Sequence, residues 1–415
     1  MQLQDFQALL PAFTAFLRPF LACFPNRNSQ QHFQTYCRGL LSTRPRKSVE
    51  PIALAGGPAV RTLQVFLADR PWDEDRLRTM MQQHVLRTLE STTGDDLGTI
   101  GLIDETSCRK WGDQTPGVQR QYLGCEGKIE NGIVTVHFAV AKGTYSALLD
   151  GDLYLPKSWA DDRQRCRDAG IPDEVPFRSK RRIAFDQWVR LRQTGHTFDW
   201  LTFDEGYGSK GPFLSLLTMM GQRFVGEAPS NFRVKLPGSQ RSRKASTLWS
   251  RTALLRGLRI HITHKTVADS VWRVVERRVQ VRGHAMRMIA AIKESNGEKK
   301  YFVSNDLDTP LSKLFAVAMR RWQIENAFRL AKQEAGLMDY EGRKYRGLIR
   351  HLTMCLVVLA FVAEATESLR GEKSTGDGGA GVPEAERWLR PSAAPPHGSE
   401  LGRTDRRSDP VPSAA

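Results

Sequence analysis

Apolar residues at Phe6, Leu9, Leu10, Phe13 and Phe16 recur at the spacing of one helical face. After the loop RPRKSVEPIALAGG, a second helical stretch is predicted from about Ala59 to Leu67. A third begins at PWDEDRLRTMM, where Asp73 is placed to cap it and acids fill its first turn. Residues 1–92 therefore read as a helical domain, with Arg44, Arg46 and Lys47 on a basic edge.

The pattern then changes. Leu97–Glu105 is a short apolar run ending in acids, which predicts a buried strand. Asn131 and Gly132 mark a turn before the strand Ile133–Val140, and Tyr145–Leu155 is the next. Ser179–Arg192 predicts a basic helix whose apolar side is Ile183, Trp188, Val189 and Leu191. A strand (Phe198–Phe203), a helix (Lys210–Met220) and a short strand (Arg223–Glu227) follow. An antiparallel start followed by alternation is the signature of an α/β fold on a mixed sheet.

From Phe232 to Asn305 the alternation breaks into β-rich pieces, RIHITH, VWRVVERRVQV, MRMIAAI and KKYFVS. One long helix is predicted from Leu311 to about Ala335 and another from about Leu348 to Leu369. The apolar run Leu352–Ala363 is shorter than the ~20 residues of a membrane span and reads as a buried helix. Gly, Pro, Ser and charge dominate from Gly371 onward, which predicts a disordered tail. The expected units are 1–92, 93–230, 231–306, 307–370 and 371–415.

Composition narrows the partner. The 415-residue chain carries a formal net charge of +16, which favours polyanions, nucleic acid foremost. The six cysteines form no C-x-x-C pair. Neither a zinc site nor a disulfide framework is expected, and a reducing cytosol fits. His261 and His264 read as ordinary strand or loop residues, and the first residues lack the features of a signal peptide.

Three acidic positions carry candidate chemistry. Asp104, beside Glu105, and Asp204, in FDEGYG, each end a predicted strand. Gly206 and Gly208 permit a tight turn or close backbone approach there, and Tyr207 adds a ring and a hydroxyl. Glu325 lies on the long helix, with Arg321, Arg329 and Lys332 along the same side and Ile324, Phe328 and Ala331 in the adjoining apolar stripe. Alone, each acid is equally a turn residue or a surface ion-pair partner. Together, oxygen ligands without thiolate suit Mg²⁺. Two such ions could serve an in-line phosphoryl displacement.

The set Asp104, Asp204-Glu205-Gly206-Tyr207 and Arg321-x3-Glu325-x6-Lys332 resembles the DDE transposases of bacterial insertion sequences. More narrowly, it looks like the cut-and-paste group whose third motif reads Y-x2-R-x3-E-x6-K. The phrases RKSVEPIAL and YEGRKYRGLIRH add to the likeness, which runs roughly from Lys47 to Arg350. The resemblance implies a ribonuclease-H-like core with a β-rich insertion between the second Asp and the Glu. It makes Asp104, Asp204 and Glu325 the catalytic metal ligands, for two Mg²⁺ ions that Mn²⁺ can replace. It gives Arg321 and Lys332 contacts to DNA phosphates, and Arg329 and Tyr207 are added as DNA-binding candidates. Where the motif has Tyr this chain has Ala318, and Trp322 or Tyr207 are candidates to compensate.

The implied reaction is cleavage at the element's ends and joining of the 3′ hydroxyl to target DNA, with a hairpin intermediate, by a homodimer acting at the nucleoid. A nuclease that cuts without joining, and a non-catalytic DNA-binding protein from a decayed element, are the alternatives. Further phosphate contacts are expected from Arg178, Lys180, Arg181 and Arg182, from Arg241, Arg243 and Lys244, and from Arg343, Lys344, Arg346, Arg350 and His351. Trp249 and Trp272 can stack on a base or serve the core.

Overall fold

The computed structural model describes residues 3–263 and 269–374. His264 and the tail from residue 375 lie outside them. Helices α1 (Leu3–Leu17), α2 (Arg27–Leu41), α3 (Val49–Gly56), α4 (Val60–Ala68) and α5 (Glu74–Ser91) come first. Asp73 caps α5 as expected, its carboxylate accepting the Asp75 and Arg76 N–H groups. Helix α3 lies within the segment expected to be a loop: Ser48 precedes it and Gly57, at φ 93°, ends it. Its apolar run Ile52–Ala53 is buried, so packing overrides the loop-like flanks.

Four strands follow: β1 (Thr99–Arg109), β2 (Gln119–Leu123), β3 (Lys128–Lys142) and β4 (Tyr145–Leu153). Next come α6 (Lys157–Ala160), α7 (Arg163–Asp168), α8 (Lys180–Gln193), β5 (Trp200–Phe203), α9 (Glu205–Gly208), α10 (Gly211–Met219) and β6 (Phe224–Ala228). The β-rich stretch holds β7 (Arg233–Lys235), β8 (Ser242–Lys244), α11 (Arg251–Leu255), β9 (Leu258–Ile262), β10 (Ser270–Val281), β11 (His284–Lys293) and β12 (Lys299–Ser304). Helices α12 (Leu311–Met319), α13 (Trp322–Glu334) and α14 (Tyr345–Ser374) close the described chain.

The expected mixed sheet is present. Among the described residues the strands run β2-β3-β1-β5-β6-β12-β11-β10-β7-β8, with β4 also on β3 and β9 also on β10. Strand β1 is antiparallel to β3 and parallel to β5, and β5 is parallel to β6. The β-rich stretch continues this sheet, because Tyr301–Ser304 of β12 pairs with Val225–Ala228 of β6.

Two further expectations are corrected. Helix α14 begins the basic run's burial: Arg350 is 1 % exposed and His351 fully buried, so neither faces DNA. Arg350 donates to Glu74 (3.0 Å) and to the carbonyls of Leu67, Arg70 and Trp72, and lies 4.2 Å over the Trp72 ring. His351 bonds the Tyr36 hydroxyl at 2.8 Å and the Gly336 carbonyl at 2.9 Å. Lys47, expected on a basic edge, is also buried, with its ammonium on the Glu334 carbonyl. For Arg350 and Lys47 the long stem packs inward and backbone carbonyls replace water around the charge.

Helix α14 packs against β4, α2, α4 and α5. Tyr345–Ser368 is long and apolar enough to cross a membrane by composition, yet its apolar 18-residue stretch is 78 % buried inside this fold. The N-terminal helices also meet the sheet through ions. Arg190 of α8 donates to Asp150 (2.9 Å) and Asp152 (2.5 Å) of β4, with Arg78 of α5 at 3.6 and 3.9 Å. Burial opposes the Asp152 charge, but the two guanidinium groups hold its pKa down to about 2.

Burial lowers the pKa of His351 to about 4. Its contribution to stability is therefore complete above the unfolded value near ~6.5 and is lost as pH falls through the folded value. We expect His351→Gln to be less stable than the wild type at pH ~7.5 by about 1–3 kcal/mol, the cost of disrupting buried hydrogen bonds. The gap should narrow toward pH ~4.5, where the wild type must protonate a buried ring. Urea unfolding at the two pH values measures it; a gap independent of pH would contradict this assignment.

Candidate active site

Asp104 and Asp204 reach one place by the same route. Strands β1 and β5 are parallel neighbours, and their pairing stops at Ile103 and Phe203. The next residue on each is the aspartate. In open α/β sheets, ligands collect at the carboxyl ends of such strands. Asp104 does not end its own strand, contrary to expectation. β1 runs on to Arg109 because β3 supplies antiparallel partners from Val136 to Gly132 for Glu105 to Arg109.

Asp204 caps the one-turn helix α9, accepting the Tyr207 N–H. Gly208 allows α9 to lie on β6: a Cβ there would sit 1.9 Å from the Glu227 carbonyl oxygen. Tyr207 points inward, 2 % exposed, with its hydroxyl buried and unpartnered among the described residues. It therefore offers no surface to DNA in this arrangement.

Glu325 comes from α13, whose Phe328 packs edge-on against His137 of β3, with ring centroids 5.3 Å apart. The helix expected to be continuous from Leu311 is broken between α12 and α13. At the break the Arg320, Gln323 and Ile324 N–H groups bond carbonyls three residues back, a tightened 3₁₀-type turn. The two arginines there are anchored: Arg320 pairs with Asp95, and Arg321 turns into the acids.

Arg321 is the centre of the cluster. Its guanidinium stands 3.1 Å from Asp104, 2.7 Å from Glu325 and 3.6 Å from Glu227. Glu227, which also pairs with Lys300 at 3.0 Å, is a member that sequence reasoning missed. It closes the predicted strand Arg223–Glu227, so its position was legible; what drew it to Arg321 was not. Glu105 likewise pairs with Lys180 at 2.6 Å.

A cavity of about 590 Å³ opens over these groups, lined by Asp104, Asp204, Glu325, Arg329, Lys332 and Tyr122 among others. The structure thus gathers the three expected acids, Arg329 and Lys332. It leaves Tyr207 buried and holds Arg321, 19 % exposed at its side chain, in ion pairs rather than free for phosphate. Ala318 is buried on α12, and Trp322 lines a neighbouring cavity with Gln323 and Asn326. Trp272 is core, packed on Phe315. Lys180 and Arg182 are paired with Glu105 and Asp186.

Burial raises the pKa of Asp104 to about 7, with Asp204 adding to the rise and Arg321 and the Glu105 N–H opposing it. Asp204 is raised too, by burial first. Two buried carboxyls facing a cavity, both raised by burial, gain from a cation that offsets their charge. Hard oxygen donors of this kind fit a divalent metal such as Mg²⁺. Among the described residues, however, no three His, Cys, Asp or Glu side chains stand close enough to share one ion. Arg321 lies between Asp104 and Glu325 instead.

Residues 19–287 match the family described as DDE superfamily endonuclease. That is more than half of the chain, and the chain belongs to this family. The match includes Asp104 and Asp204 and ends before Glu325. A curated relative from Microchaete diplosiphon, a probable transposase for insertion sequence element IS701, is 30 % identical over 221 residues. The alignment takes in 52 % of this chain and 53 % of that protein, so the chain spans about half the length of the curated relative it matches. Among solved structures, the NurA nuclease from Sulfolobus solfataricus covers 60 % of this chain and 84 % of its own, at 9 % identity and a TM-score of 0.25.

The raised Asp104 pKa has a signed consequence in metal-free buffer. Stability it contributes is present below its unfolded value near ~4 and is lost as pH rises through the folded value. Asp104→Asn removes that loss. We expect the variant to be more stable than the wild type at pH ~8 by up to a few kcal/mol, and the advantage to shrink at pH ~5. Thermal melts in EDTA check this, and a variant less stable at high pH would refute it.

Proposed function

We propose that the chain is a transposase of an insertion sequence, with Asp104, Asp204 and Glu325 as its catalytic acids on a ribonuclease-H-like core. The observation that carries the reading is the convergence of two strand-end aspartates, from β1 and β5, with the acid and cations of α13 on one cavity. The family membership and the transposase relative support the same reading.

Asp104 and Asp204 are the residues that would hold a divalent ion, with Glu325 joining them when Arg321 yields its place. A bound ion of this kind activates an attacking hydroxyl and stabilises the leaving oxygen of an in-line displacement. Arg329 and Lys332, one turn apart on α13, face the same cavity. They would hold the phosphates of the strand being cut. Among the described residues Arg329 bonds the neutral side chains of Asn326 and Gln333, which leaves its charge for a phosphate. Arg321 balances the acids before substrate arrives and is free to turn to phosphate afterwards. Water then attacks at the element's end, and the released 3′ hydroxyl attacks target DNA, in a homodimeric complex of two ends. A hairpin intermediate belongs to the same proposal.

Asp104→Asn, Asp204→Asn and Glu325→Gln should each abolish Mg²⁺- or Mn²⁺-dependent cleavage of a duplex carrying the element's end, with DNA binding retained. Gel assays of cleavage and joining, beside binding by mobility shift, test this. Products that are cut but never joined would identify a nuclease. Wild-type binding with no cleavage in any divalent ion would identify a non-catalytic DNA-binding protein.

A further inference from the structure

The cavity has a second wall. It is the ribbon β2–β3, and it carries exposed groups that the reaction as described leaves unused. Tyr122 is 62 % exposed and Ile129, its cross-strand partner, 59 %. Arg120, two residues from Tyr122, is exposed beside Asn131, its own partner.

Register places these groups on the side of the acids. Ile129 and Asn131 alternate along β3 with Ile133, Thr135 and His137, so all five share one face. His137 is the partner of Asp104 on β1. Tyr122 and Arg120, as partners of Ile129 and Asn131, therefore lie on the Asp104 face of the sheet. Helix α13 packs on the same face, where Phe328 meets His137. The cleft between helix and ribbon has the aspartates at its floor. Arg329 and Lys332 form one wall, and Tyr122, with Ile129 and Arg120 beyond it, rises on the other.

A single strand of nucleic acid has this same division: phosphates along one edge, ring faces along the other. A polyanion matches α13. An exposed tyrosine beside a β-branched side chain and an arginine matches unstacked bases, which stack on aromatic side chains whatever their sequence. A purely apolar protein segment would leave Arg120, Arg329 and Lys332 without counter-charge.

We propose that Tyr122 stacks on an unpaired base of the DNA strand whose phosphates lie along α13, and that Ile129 and Arg120 extend this platform. The inference deepens the transposase reading by naming the conformation of the substrate at the acids: locally unpaired.

The test uses full-length Asp104→Asn protein, which leaves DNA intact, and a duplex with a short single-stranded overhang containing 2-aminopurine. Stacking on Tyr122 should quench the probe. Tyr122→Ala should abolish the quench and weaken binding by about 5- to 150-fold, the range expected for one stacked base. Tyr122→Phe should restore both, since the ring and not the hydroxyl is used. An abasic overhang should weaken the Tyr122 protein alone and bring it level with Tyr122→Ala. Unchanged quenching and affinity in Tyr122→Ala would overturn the proposal. So would an equal loss on the abasic overhang or on a fully paired duplex. Failure of the parent reading shows separately, as the absence of metal-dependent cleavage by the unsubstituted chain, and leaves these binding comparisons standing.

Discussion

One guanidinium organises the acidic end of the sheet. Arg321 stands among carboxylates from β1, β6 and α13, two of them within 3.1 Å. Without it, Asp104 and Asp204 would face each other across a buried space with no counter-charge, the arrangement that most disfavours ionisation. Even with it, Asp104 is pushed up to about 7. The break between α12 and α13 belongs to the same constraint. A helix continuous through Arg320 and Arg321 would carry its acid and cations onward along one axis. The tightened turn re-aims α13 so that Glu325, Arg329 and Lys332 all meet the cavity.

That placement holds only if the sheet beneath is rigid, and buried charges secure it. Asp150 and Asp152 of β4 are gripped by arginines from α5 and α8. Arg350 of α14 is gripped by Glu74 and by three carbonyls that end α4 and lead to α5. Removing one partner of such a buried pair leaves a charge uncompensated, which typically costs about 3–5 kcal/mol. The charges thus tie the N-terminal helices to the strand next to the one facing Asp104. Of the basic run after α13, Arg350 is spent this way.

What was legible in the sequence follows from what local patterns encode. Apolar patterning located β3, β4, β6 and β9 to β12, and Asp73 announced α5, because these depend on neighbours a few residues away. Asn131 and Gly132, read as a turn, lie inside β3, and β7 and β8 were not foreseen. That Asp104, Asp204 and Glu325 line one cavity depends on the parallel pairing of β1 with β5 and on the break before α13, which no local pattern encodes. The errors are tertiary. β1 outruns its acids because a distant partner, β3, is long. Helix α3 forms in a loop-like segment because Ile52 and Ala53 have a core to enter. Arg350, His351 and Lys47 read as basic surface because a sequence does not show which carbonyls will surround a charge. Tyr207 read as available because its phrase is a turn, yet α9 presses it beneath β6.

The same distinction explains why Tyr122 was overlooked and why it matters. In sequence it lies in a polar hairpin, QRQYLGCEGKI, with no motif around it. Only the register that links β2 through β3 to β1 puts it on the face of Asp104. A site built for phosphate chemistry needs charge to position the backbone, and on the proposed reading Arg329 and Lys332 of α13 would supply it. Charge alone holds a phosphate equally well in paired or unpaired DNA. A wall of exposed ring and aliphatic surface distinguishes the two, because only an unpaired base has a free face to offer. The cleft's two walls therefore divide the labour. In the proposed complex the helix would set where the phosphate lies relative to the acids, and the ribbon would set which conformation of the strand can lie there.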